Sequence, residues 1–282
     1  MFSYPVFILS HGRAERVKTV KALKRGNYEG DWYIVIDDED DQADDYMELY
    51  PGHVLQFRKA EAIKRTQTVA PTSDRSHNVV VYARNELFDI AAKMGAEYFV
   101  ELDDDYDYFN ERYQSPTGLS NYRIRSLDDC FELMREFVEK AGFDCLAMAQ
   151  DGDYIGGLSR SMARPFKRKV YNVYLWRTSS TCRFTGVLNE DLSLSVMEGM
   201  RGAKLATANK LSVHQQQTQR FEGGLTEEYK RHGTYAKSMY SVVQAPSCVS
   251  LQELSTTHKR WHHKVEWRYA VPRILPGSYG RG

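Results

Sequence analysis

The sequence predicts an α/β fold: a single Rossmann-like, mostly parallel sheet flanked by helices, with a basic, aromatic C-terminal extension. Three observations predict it. Over residues 1–60, short apolar runs alternate with segments of helical periodicity, which reads strand–helix–strand–helix–strand. Carboxylates and turn formers follow directly on these runs, at the carboxyl edge where open α/β sheets take their ligands. Beyond residue 215 the strand–helix alternation stops and cations interleave with aromatics. The expected division is therefore 1–215 for the sheet domain and 216–282 for the extension.

The first strand is Pro5 to Ser10, followed by His11-Gly12-Arg13. Val17, Val20 and Leu23 recur at helical spacing, and Gly26 is a natural stop. Trp32 to Ile36 is the second strand and ends directly in Asp37-Asp38; Val54 to Phe57 is the third. The stretch from Ala70 to Asn78 is a loop of turn formers, and a helix carrying Arg84 and Asn85 is predicted over Val79–Met94. The fourth strand, Tyr98 to Leu102, runs into Asp103-Asp104-Asp105. An amphipathic helix over Leu127–Lys140 presents Leu127, Phe131, Met134, Phe137 and Val138 on one face. Strands follow at Phe143–Ala149 and Val170–Trp176, separated by a loop-rich basic stretch holding Arg160, Arg164, Lys167, Arg168 and Lys169. Asn189-Glu190-Asp191 precedes a short helix at 192–199, and closing strands are predicted at Lys204–Thr207 and Leu211–His214.

Composition narrows the class of protein. Lys+Arg and Asp+Glu both total 38, so the chain as a whole is not a polycation. At 282 residues with 42% hydrophobic content it can bury a full core. Cys130, Cys145, Cys182 and Cys248 form no CxxC pair, which speaks against a zinc knuckle and suits a reducing cytoplasm. No apolar run approaches the roughly 20 residues of a membrane span, and no signal peptide is evident. A cytoplasmic protein is expected.

Four constellations could carry chemistry. Asp103-Asp104-Asp105 crowds three carboxylates, which a hard divalent ion with oxygen ligands would neutralise. A solvated acidic turn is the other reading. If the strand continues, Asp103 and Asp105 share a face and Asp104 points away, with His214 a further candidate ligand. Ser10, His11, Gly12 and Arg13 would lie beside Asp37 and Asp38, a glycine for close approach with groups suited to phosphate and ribose. Neither GxGxxG nor GxxxxGK[ST] occurs, which counts against a dinucleotide site and a P-loop. Asn189-Glu190-Asp191 suits either a general base or a helix cap with acids in its first turn. In the tail, Lys259, Arg260, Lys264 and Arg268 interleave with Trp261 and Trp267, a pattern for phosphate contact and base stacking or else a packed arm.

Taken together, Phe7 to Arg13, Ile36-Asp37-Asp38, Ala83-Arg84-Asn85, Leu102 to Asp105 and Asn189-Glu190-Asp191 follow a familiar motif order. Over about residues 4–215 the chain resembles the type-A-fold nucleotide-sugar glycosyltransferases. More narrowly it is similar to the phage-type, TET-associated family proposed to glycosylate modified DNA bases such as 5-hydroxymethylcytosine. The resemblance implies that Ser10 to Arg13, Asp37 and Asp38 hold the nucleoside, and that Arg84 and Asp104 belong to the donor pocket. It implies that Asp103 and Asp105, with His214 a less certain partner, hold Mn2+ or Mg2+ against the diphosphate of a UDP-sugar. Glu190 or Asp191 would be the base of an inverting reaction. The acceptor expected is DNA containing a modified pyrimidine, flipped from the stack and held by Tyr106, Trp176 or the C-terminal aromatics. The rival readings are transfer to a small molecule, protein or glycan, a nucleotidyltransferase, and a non-catalytic nucleic-acid-binding protein.

Overall fold

A computed structural model describes residues 4–68, 79–116, 118–154, 166–215, 235, 237–255 and 259–272. The first strands in chain order are β1 (Val6–Leu9), β2 (Trp32–Asp37), β3 (Val54–Phe57), β4 (Tyr98–Asp103), β5 (Tyr106–Ser115) and β6 (Gly118–Arg123). They are followed by β7 (Cys145–Gln150), β8 (Tyr174–Arg177) and β9 (Leu205–Gln215). All nine form one sheet in the order β3-β2-β1-β4-β8-β7-β9-β5-β6, in which only β8 and β5 run against the rest. The helices are α1 (Lys18–Arg25), α2 (Ala43–Leu49), α3 (Lys59–Arg65), α4 (Val81–Lys93), α5 (Leu127–Ala141) and α6 (Glu190–Met200).

The central strands read as largely apolar runs because both of their faces are covered, with Glu101 of β4 the charged exception. In β1, Val6 and Ile8 enter a core shared with α1 and α5, while Phe7 and Leu9 enter a second core shared with α4. Phe99 of β4 sits in that second core, with its ring centroid 5.8 Å from Phe7 and 5.1 Å from Phe88. Phe99→Ala is expected to destabilise the fold by about 3–5 kcal/mol, read as a lowered midpoint of urea denaturation. The amphipathic helix expected near Leu127 is α5, capped by Ser126, which accepts from the Asp129 amide at 3.3 Å.

The chain beyond β4 departs from expectation in three places, each for a local reason. Asn172 takes a left-handed backbone (φ 69°), which interrupts the run from Val170, so only Tyr174–Arg177 pairs as strand. The two expected closing strands are the single strand β9, carried past an irregularity by a register shift against β7 between Met148 and Ala149. The β5–β6 hairpin has no apolar run to announce it and is polar over most of its length.

Beyond the sheet, a helix over 237–244 is followed by an antiparallel hairpin of β10 (Val249–Ser255) and β11 (Lys259–Val265). These segments pack on α6 through Leu192, Val196, Ala245, Cys248, Val249 and Ala270. All four cysteines are buried free thiols. Among the described residues no helix is long and apolar enough to cross a membrane.

Candidate functional site

The carboxyl ends of β1, β2, β3 and β4 converge on a cavity of about 260 Å³. Its polar lining includes Ser10, His11, Arg13, Asp37 and Asp103 to Asp105, and Phe57 and Val79 supply an apolar wall. The loop after β1 turns at Gly12, whose φ of 63° favours glycine, and the Gly12 amide donates to Asp40 at 2.9 Å. His11 Nδ1 lies 3.0 Å from Asp37 Oδ2, and this hydrogen bond raises the imidazole's pKa. Burial works against ionising Asp37, but the hydrogen bond and charge of His11, with Lys59 Nζ at 3.4 Å, hold its carboxyl below the usual range. Asp38 accepts from the Lys59 amide at 2.8 Å and so caps the start of α3.

β4 ends at Asp103, so the alternation of a strand does not continue through the acidic triplet. All three carboxylates line the same cavity but have different partners. Asp104 is buried, accepting from Ser10 Oγ at 2.7 Å and Arg13 Nη1 at 3.1 Å. Among the described residues Asp105 accepts from the Gln215 amide, at 3.0 Å to each oxygen, and burial with neighbouring Asp103 pushes its pKa up to about 7. The turn itself is gripped by Thr19 of α1. Its hydroxyl donates to the Asp103 carbonyl at 2.5 Å and accepts from the Tyr106 amide at 3.0 Å, while its own amide donates to the Asp104 carbonyl at 3.2 Å.

Arg84 of α4 is buried where three acids meet. Its guanidinium donates to Glu101, lies 3.0 Å from Asp103 Oδ1, and lies 3.7 Å from Glu190 Oε1 at the start of α6. Glu101 is fully buried and also accepts from Trp176 Nε1 at 2.9 Å. Burial lifts Glu101 to about 7, against the pull of Arg84. Burial and then Asp191 raise the pKa of Glu190, opposed by Arg84. Asp191 is different. Although burial resists its ionisation, the salt bridge to Lys169 holds it low, and it also accepts from the Leu192 amide at 2.7 Å. Of the two adjacent acids, Glu190 faces the arginine of the cavity and Asp191 is already paired.

The structure therefore gathers Ser10, His11, Arg13, Asp37, Asp103, Asp104, Asp105 and Arg84 around one cavity, with Glu190 joined to it through Arg84. It places other expected residues elsewhere. His214 stacks on Tyr108 with ring centroids 4.4 Å apart, and its Nδ1 lies 3.4 Å from Asp107, while the next residue, Gln215, faces Asp105. Tyr106 and Trp176 are fully buried and offer no face to a base. Of the tail residues, Trp261 is 49% exposed, Lys264 is exposed and 3.2 Å from Glu266, and Arg268 lies over Tyr269. Trp267 packs against the C-terminal cluster on α6. The side chains of Lys259 and Arg260 lie outside the described residues, as do Arg160 and Arg164. Lys59, Asp40, Tyr46, Gln215 and Thr19 belong to the site yet carry no sequence signal beyond their nearness to strand ends or a helix start.

The carboxylate-lined edge of this α/β sheet belongs to a glycosyltransferase. Residues 4–224 match the family described as TET-Associated Glycosyltransferase, and the chain belongs to that family. Comparison with curated protein sequences gives no match. Among solved structures, the chain is similar to Mycobacterium tuberculosis glucosyl-3-phosphoglycerate synthase, at 10% identity and a TM-score of 0.49 over 99% of this chain and 92% of that one. A complex of that synthase with Mn2+, UDP-glucose and phosphoglyceric acid matches at 11% identity and a TM-score of 0.45, over 91% and 86% of the two chains. The galactosyltransferase LgtC, solved with donor and acceptor sugar analogues, matches at 11% identity and 0.34, over 62% and 58%. These likenesses are loose, and the family match is the firmer one.

Proposed function

We propose that the protein transfers a sugar from a UDP-sugar to the hydroxyl of a modified pyrimidine in DNA, with Glu190 as general base. One observation carries the reading. A single guanidinium, that of Arg84, lies 3.0 Å from Asp103 and 3.7 Å from Glu190, so it joins the acidic strand end to a half-buried carboxylate of raised pKa. Glu190 would take the proton of the acceptor hydroxyl as that oxygen bonds to the anomeric carbon. The bond from that carbon to the diphosphate oxygen breaks, and the electron pair leaves with UDP. Ser10 to Arg13 and Asp37 would hold and orient the nucleoside.

The oxygen donors of Asp103 and Asp105 suit Mn2+ or Mg2+. Asp105 fits that role best, since its half-buried carboxylate has a raised pKa and, among the described residues, an amide as its hydrogen-bond partner. Among the described residues no group of three acidic, His or Cys side chains is arranged to hold a metal, so these two carboxylates would share an ion with the donor diphosphate. Bound there, the ion would neutralise the charge that builds on the departing UDP. His214 faces away from this pair, and Gln215 would steer Asp105.

The family description supports the DNA acceptor, as does exposed Trp261, which shares a strand face with His263 beside Asn189. The packing of Trp267 on α6 favours a second reading, in which the basic tail is structural and the acceptor is a small molecule, protein or glycan. Incubation with Mn2+, a panel of UDP-sugars and hydroxymethylcytosine DNA decides between them. Mass spectrometry of the nucleosides should show addition of a hexose or pentose; no mass gain with any donor rejects the DNA acceptor. Trp261→Ala should weaken DNA binding by about 1–3 kcal/mol, measured by fluorescence anisotropy at fixed salt, and should leave UDP binding unchanged.

A further inference from the structure

The family match ends at residue 224, yet the loop in front of Glu190 is held by segments beyond it. We infer that the C-terminal extension is a positioning element for Glu190, an inference that rests on Glu190 being the base.

The key residue is Asn189. It precedes α6, is 2% exposed and takes a left-handed backbone of φ 59°. An asparagine at a helix start normally turns its side chain to cap the first amides, but this one makes no such bond. Its amide nitrogen instead donates to Ser241 Oγ at 2.8 Å and lies 3.4 Å from His263 Nδ1. Two residues earlier, the Val187 amide donates to the Tyr240 hydroxyl at 3.0 Å. The 237–244 helix and β11 thus grip this loop from one side. The far end of α6 is fixed as well, because a Cβ on Gly199 would collide with the Ala270 carbonyl oxygen. Between these two anchors, Leu192 and Val196 bury themselves among Ala245, Cys248 and Val249.

The left-handed backbone of Asn189, a conformation asparagine tolerates, turns its side-chain amide onto the extension, while its carbonyl accepts from the Leu192 and Ser193 amides at 3.0 Å each. Among the described residues, the donor cavity draws its lining from residues 9–105 and Gln215, with none from the extension. Loosening the extension should therefore move the base and leave donor binding alone.

The test is a Tyr240→Phe/Ser241→Ala double variant of the full chain, with Asn189→Gly as the second variant. Glycine keeps the left-handed backbone and removes both side-chain contacts. The assay uses Mn2+, hydroxymethylcytosine DNA and whichever UDP-sugar of the panel turns over fastest. We expect kcat to fall on the order of tenfold to a hundredfold, with KM for the donor and Kd for UDP unchanged. Amide hydrogen exchange should rise across 189–192 and stay unchanged across 98–105. Unaltered exchange and kcat in both variants overturn the inference, as does a parallel loss of UDP affinity, which marks general destabilisation. Glu190→Gln, run alongside, separates the two claims: wild-type turnover in that variant rejects the base while leaving the exchange result to judge the clamp.

Discussion

Glu190→Gln is expected to lower kcat by a factor on the order of 10²–10⁴ with little change in KM for the donor. The amide keeps the shape and the contact with Arg84 but cannot accept the proton of the acceptor hydroxyl. Asp191→Asn should lose much less, since Asp191 is paired with Lys169 and caps Leu192 rather than facing the cavity. Its main consequence would be to leave Lys169 without its carboxylate. The pH profile gives the same assignment a second reading. Burial and the neighbouring Asp191 raise the pKa of Glu190, and a base must be deprotonated to act. Turnover should therefore rise with pH through a limb above the ordinary carboxylate range and level off beyond it. A wild-type kcat in Glu190→Gln, or a limb in the usual carboxylate range, would remove Glu190 from this role.

The second large effect is at the acidic turn. Asp105→Asn and Asp103→Asn should each lower kcat/KM by about a thousandfold, roughly 4 kcal/mol of transition-state stabilisation. The Asp105 change is the cleaner one. That carboxylate has Gln215 as its hydrogen-bond partner, so its removal strands no buried cation. Asp103→Asn also takes a charge from Arg84 and would disturb Glu190 at the same time. Titration of UDP release with Mn2+ separates metal binding from chemistry. Asp105→Asn should demand far more Mn2+ for half-maximal rate, and an unchanged Mn2+ requirement would show that the ion is not bound there. Asp104→Asn should respond differently, since its partners are Ser10 and Arg13 and its loss loosens the loop after β1.

The central strands were legible because burial on both faces leaves them few polar positions: Val6 to Leu9 and Ile34 to Ile36 are apolar runs, and Tyr98 to Leu102 is interrupted only by Glu101, which is buried against Arg84 and Trp176. The β5–β6 hairpin was not, because its outward positions are polar and its inward ones include Asn110 and Arg112. Arg112 is tolerated inside by its bond to Ser212 at 2.9 Å and by the Tyr154 ring 4.6 Å away, partners no local pattern reveals. The same holds in the site. Asp37 and the aspartate triplet stand out as acids at strand ends. Thr19, Tyr46 and Gln215 are ordinary residues whose roles come from chain segments between about 36 and 110 positions away. Glu190 and Asp191 are told apart only by their partners in space, Arg84 and Lys169, since both acids have the same sequence context.

Thr19 shows what such a residue means for variation in this chain. By position it is a buried β-branched residue on an amphipathic helix, and valine would fill its volume and keep its helix. Yet the hydroxyl is what ties the Asp103 carbonyl to the Tyr106 amide. Valine there would leave two buried backbone groups without their partner and free the turn to change shape. The spacing of the Asp103 and Asp105 carboxylates thus depends on an alcohol that is not among the described lining residues of the cavity. A library that treats the α1 face as interchangeable hydrophobic packing would discard active enzymes at this position without touching the active site. Tolerance at Thr19 should follow the side chain's oxygen, with serine retained ahead of valine.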